Sequence, residues 1–205
     1  MGAVVSLDGL LDQRRVWKGR PQLQAQGLQP SGHAALDRAL PGGGWPPAAL
    51  TELLLAAQGC GELHLLWPSL ARLTASGERV VLVAPPFIPY APAWQAAGVD
   101  LQWLTLVETA ADEVLWAAEQ CLRSGSCGAV LCWPHKADDR SLRRLQVAAE
   151  SGQTLAFALR PLQAALNPSP AALRIAIDAQ PAQWRVLKCR GGLAPSMPIA
   201  CAGRG

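Results

Sequence analysis

The sequence predicts an α/β fold, a mostly parallel sheet flanked by helices, with a short N-terminal helical arm at residues 1–30 and the core at 31–205. Three observations predict it. Short apolar, β-branched runs alternate with amphipathic segments of helical period. Glycine and proline punctuate the boundaries between them. The last two apolar runs lie close enough together to form an antiparallel hairpin at one edge.

Composition narrows the classes further. The chain has 205 residues, of which 50% are hydrophobic and 16% charged, which suits one domain with a substantial core rather than a disordered chain. No apolar run reaches bilayer length and no basic-then-apolar leader pattern opens the chain, so no membrane partner and a cytoplasmic location are expected. A net charge of +3 does not announce nucleic acid, although a local basic patch fits within it. The six cysteines (Cys60, Cys121, Cys127, Cys132, Cys189 and Cys201) are scattered without CxxC pairs. They read as reduced, buried thiols rather than ligands, so no metal and no cofactor are expected.

Residues 6–18 place Leu7, Leu10, Leu11, Arg14 and Trp17 along one stripe of a short amphipathic helix. Residues 19–31 show no period and read as an extended strap. Leu50 to Leu55 is the first strand, followed by a glycine loop and a helix from Leu65 to Ser76 that stops at Gly77. Arg79 to Ala84 is a second strand by its β-branching. Asp112 to Ser124 is a helix with Val114, Leu115, Ala118, Cys121 and Leu122 inward. Ala129 to Trp133 is a strand, Asp139 to Ser151 a helix with its arginines outward, and Thr154 to Leu159 a further strand. Leu173 to Ile177 and Trp184 to Lys188 form the hairpin.

The loop after the first strand, LAAQGCGELHLL, sits where parallel sheets hold ligands, at the carboxyl end of a strand. A phosphate loop needs Gly-x-x-x-x-Gly-Lys-Ser/Thr: amides cradle the phosphate, lysine neutralises it and the hydroxyl binds magnesium. With the last glycine on Gly61, Ala56 takes the first glycine position, Glu62 the lysine and Leu63 the hydroxyl. A carboxylate at the lysine position costs ~4 kcal/mol against a like charge 4 Å away at an effective dielectric near 20. Trp133 ends a later strand where a nucleotide-hydrolysing sheet offers an aspartate to the metal. No catalytic residue and no enzymatic activity are expected. Gly59 and Gly61 read as a tight strand-to-helix turn rather than a phosphate cradle.

The segment SGHAALDRALPGGG, residues 31–44, resembles the entry to the core of RecA-family recombinases, and Thr51-Glu52 resembles that family's lead into the phosphate loop. Residues 61–68 (GELHLLWP) and 84–92 (APPFIPYAP) are similar to the degenerate RecA-like ImuA family, itself related to the SulA cell-division inhibitors. So are residues 115–125, 142–146 and 169–174, and Val16 to Gly19 in the arm. The resemblance implies a RecA-like core that hydrolyses no ATP and serves SOS-induced translesion synthesis. It implies RecA and ImuB, an inactive Y-family polymerase homologue, as partners, with an error-prone replicative-type polymerase and DNA as further candidates. It also implies interference with RecA filaments; the alternative is a SulA-type inhibitor of cell division acting on FtsZ.

Two groups of residues are candidates for contact. Leu7, Leu10, Leu11, Arg14 and Trp17 would hand an amphipathic face to a partner, against the plainer reading of a helix folded onto its own core. Arg140, Arg143, Arg144, Lys188 and Arg190 would form a basic partner or DNA surface, against that of solvated charges. His33, His64 and His135, and Cys60 beside Glu62, lack the neighbours a nucleophile needs and carry no catalytic expectation. The apolar loop from Pro85 to Pro92 reads equally as a binding surface or a packed cover.

Overall fold

In the computed structural model, residues 29–180 and 182–201 are described. Eight strands form one sheet in the order β3-β2-β4-β5-β1-β6-β7-β8. They are β1 (Leu50–Leu55), β2 (Arg79–Val83), β3 (Leu104–Val107), β4 (Cys127–Cys132), β5 (Leu155–Pro161), β6 (Leu173–Ala179), β7 (Ala182–Cys189) and β8 (Ile199–Ala200). The first six are parallel, with β1 between β5 and β6, whereas β7 runs antiparallel to its two neighbours, β6 and β8. Among the described residues the α-helices are α1 (Ala34–Ala39), which precedes β1, and α2 (Glu62–Ala75), α3 (Ala91–Ala96), α4 (Val114–Arg123) and α5 (Asp139–Gly152), which lie between strands.

Both faces of the sheet are covered, which is why its inner strands are continuous apolar runs. Alternate residues go to opposite sides. Leu53, Leu82, Leu131, Phe157 and Ile175 face α1, α2 and α3 through Leu36, Leu66, Leu70 and Trp94. Val81, Val130, Ala156 and Ala158 face α4 and α5 through Ala118, Leu122, Leu142 and Leu145. A 3-10 turn, Leu162–Leu166, covers Leu54 and Ala176 beside them.

The expected strands and the hairpin are present, and the helix expected from Leu65 begins three residues earlier, at Glu62. β3, β8 and the short α1 and α3 were not expected. Gln29 and Ser31 are buried rather than strap-like: the Gln29 carbonyl accepts the Trp45 N–H, and Ser69 Oγ donates to the Ser31 carbonyl at 3.1 Å. Leu7, Leu10, Leu11, Arg14 and Trp17 lie outside the described residues. Among the described residues no helix is long and apolar enough to cross a membrane.

Candidate functional site

The turn between β1 and α2 lies at the carboxyl end of a strand near the middle of the sheet. Gly59 and Gly61 adopt φ of 76° and 109°, which only glycine takes without strain, and the turn delivers the chain into α2 at Glu62. Glu62 is only 5% exposed, because its side chain folds back into the turn. Oε1 accepts the Gly59 N–H at 2.8 Å and Oε2 the Gly61 N–H at 3.1 Å. Turn amides of this kind form an anion-binding concavity, and a negative charge in a helix's first turn also favours its dipole. The carboxylate that stands at the lysine position therefore occupies, in the free chain, amides that a phosphate would use. Ala56 is exposed, and Leu63 packs against the core in place of a hydroxyl.

A small cleft, open to solvent, adjoins the turn at the ends of β1, β4 and β5. Gln58, Trp133, His135, Arg160 and Gln163 are among the residues that line it. Its cation is committed inward: Arg160 Nη1 meets Glu52 Oε1 at 2.5 Å, and Nη2 donates to the Ala137 carbonyl at 2.9 Å. Arg174 Nε approaches the other Glu52 oxygen at 2.8 Å, and its Nη2 donates to the Ala164 carbonyl at 2.7 Å. All three side chains are buried. This triad was missed in the sequence, although one glutamate inside LTELLL and one arginine inside each of LAFALRP and LRIAIDA were its signal.

Among the described residues no group of three His, Cys, Asp or Glu is placed to hold a metal ion. His33 and His64 approach one another with ring centroids 5.7 Å apart, and His33 meets the Trp184 ring edge-on at 4.6 Å. Its Nε2–H donates to the Leu65 carbonyl at 3.2 Å. Burial holds the His33 pKa below its ordinary value. Burial likewise raises the Cys60 thiol, which lies 3.9 Å from the Ile177 carbonyl, while the Glu62 oxygens are already engaged. Cys60, Cys121, Cys127, Cys132 and Cys189 carry free thiols, and burial pushes Cys121 to about 11 and Cys132 to about 12, so neither of these two is a ready nucleophile.

The five basic candidates are strung out rather than clustered. Arg140 is exposed in the first turn of α5, Arg143 pairs with Asp139 at 3.1 Å, and Arg144 pairs with Glu119 of α4. Arg190 lies 3.6 Å from Glu150 near the other end of α5, about 15 Å along the helix from Arg140. Lys188 donates to the Ser169 carbonyl at 2.7 Å. In the loop after β2, Phe87, Ile88 and Tyr90 are exposed, Ile88 by 88%, and Leu106 of edge strand β3 lines a groove with Phe87 and Ile88.

No family model matches the chain. It is 29% identical over 143 residues to "Cell division inhibitor SulA" of Pectobacterium carotovorum subsp. carotovorum, covering 68% of this chain and 81% of that protein. The SulA of Pectobacterium atrosepticum matches over the same length at 28% identity. Among solved structures, SulA from Pseudomonas aeruginosa aligns with a TM-score of 0.47 at 24% identity, over 57% of this chain and 99% of that one. By sequence, then, the chain is similar to the SulA cell division inhibitors.

Proposed function

We propose that this chain is a non-catalytic, RecA-like protein that acts by binding other proteins, and that its role is SulA-type inhibition of cell division, with FtsZ as its target. The match to SulA over 143 residues carries this reading. The filled glycine turn supports the absence of ATP chemistry, since Glu62 takes up the Gly59 and Gly61 amides and Leu63 offers no hydroxyl to magnesium. The exposed Phe87, Ile88 and Tyr90 supply an apolar surface of the kind a protein partner buries. FtsZ polymerisation with GTP, followed by pelleting, tests it. Addition of the chain in equimolar amount lowers the pelleted polymer at least twofold, while the chain alone releases no phosphate from ATP. Unchanged polymer at every concentration removes the reading.

A second reading keeps the same fold and changes the partner: an accessory protein of SOS-induced translesion synthesis that binds RecA and ImuB in the cytoplasm and shortens RecA filaments. An error-prone replicative-type polymerase and DNA are its further candidate partners. The likeness to ImuA favours it, because that likeness extends to Val16–Gly19 in the arm as well as along the core. Electron microscopy of RecA on single-stranded DNA separates the two: filaments that shorten beside unaffected FtsZ support the second reading.

A further inference from the structure

β3 is a bare edge of the sheet. It stands first in the spatial order, and among the described residues no strand pairs with its outer side. The opposite edge is blunted, because β8 has only two residues. Natural sheets guard a longer edge with charged side chains, proline or a bulge. β3 reads Leu-Thr-Leu-Val and has none of these, and its register with β2 runs unbroken from Leu104 to Val107.

The bonds to β2 show which backbone groups that edge turns outward. The Ala84 N–H donates to the Val107 carbonyl at 2.9 Å, which sets the phase of the parallel ladder. Thr105 and Val107 therefore turn their N–H and C=O toward β2. In a planar trans peptide the C=O and N–H point opposite ways, so the other half of each peptide turns away from β2. In chain order the outer edge presents the Leu104 C=O, the Leu106 N–H, the Leu106 C=O and the Glu108 N–H. The Leu106 side chain is also 40% exposed, beside Phe87 and Ile88 in their groove.

We propose that β3 pairs antiparallel with β3 of a second copy of this chain, about a two-fold axis at Leu106. The order acceptor, donor, acceptor, donor selects that occupant, because a two-fold rotation lays it on its own complement. Leu106 exchanges both bonds with the second copy's Leu106, and each Leu104 C=O accepts the Glu108 N–H of the other copy. The side chains agree with that register. The two Leu106 side chains meet, Thr105 stands against Val107, and Glu108 stands against Leu104, so no like charges are opposed along the paired residues. The interface is isologous and closes at two copies. Because the paired strands run opposite ways, the two loops from Phe87 to Tyr90 lie at opposite ends of the seam. The pairing is independent of whether the target is FtsZ or RecA, and it gives that target two identical surfaces per pair.

Sedimentation velocity of the full chain over a concentration series is the test, and a concentration-dependent dimer is expected. Leu106→Pro removes an N–H that points away from β2, at an edge position that tolerates proline. It should weaken the dimer at least tenfold while keeping the parent's circular dichroism. Leu106→Cys reads the register without relying on proline. Opposed Cα atoms in a hydrogen-bonded antiparallel pair lie about 5.5 Å apart, within the reach of a disulfide. With oxidised glutathione that variant should give a covalent dimer, absent from the parent and from Val147→Cys, an exposed position on α5. A chain that stays monomeric throughout the series overturns the proposal. So does a dimer that Leu106→Pro leaves intact, or a Leu106→Cys chain that cross-links no better than Val147→Cys. A monomeric chain whose hold on its target weakens with Leu106→Pro would assign the edge to a strand of that partner instead.

Discussion

At Glu62 a single substitution relative to the phosphate-loop pattern changes more than a charge. The carboxylate bonds to two turn amides at 2.8 and 3.1 Å, so the residue that would repel a nucleotide also takes up its hydrogen-bond donors. The change of sign was legible in the sequence, because it needs only an alignment of Gly61. The folding-back was not, because it depends on backbone angles at Gly59 and Gly61 that no periodicity encodes. His33 gives a pH dependence at the same scale. Its pKa is depressed in the folded chain, chiefly by burial, so the unfolded chain binds the proton more readily. Stability is therefore full above the unfolded value of about 6.5 and falls as pH drops from there through the folded value. Urea unfolding at pH 7.5 and 5.5 should show the lower free energy at 5.5, and His33→Gln should flatten that difference.

Among the elements, the helix pair α4–α5 is held at its carboxyl ends by a glycine of ordinary backbone conformation. A Cβ at Gly152 would lie 1.8 Å from the Leu122 carbonyl oxygen, a backbone atom that cannot swing aside. Gly152→Ala should therefore cost about 1–3 kcal/mol, the range for overpacking a tight contact, measured by urea unfolding. The elements read correctly from sequence were those with a strong period or a buried, β-branched run, such as β2, β4 and α5. Those missed were short or weakly patterned. β3 has four partly exposed residues at the sheet edge and β8 has two. Six-residue α1 buries only Leu36, and α3 has Pro92 in its first turn and buries only Trp94. These elements are defined by their neighbours more than by their own residues.

Across the whole molecule, the Glu52–Arg160–Arg174 triad ties β5, β1 and β6 together on the face that the 3-10 turn covers. Its burial makes it a matter of integrity rather than surface charge. Removing the shared carboxylate leaves two buried guanidiniums facing each other, and breaking such pairs costs about 3–5 kcal/mol. Glu52→Ala should lower the unfolding free energy by that amount, measured in urea with circular dichroism. The parallel sheet, its two covered faces and its hairpin edge were legible because those faces demand apolar strands. The triad was legible only as three charges out of place, since pairing across strands requires the strand order. The self-filled turn has a consequence at this scale too. An ordered loop that needs no nucleotide to complete it is finished as soon as the chain folds. Whatever surface rests on it is offered by every copy at all times, so the size of its effect should track how many copies exist and not the supply of any metabolite.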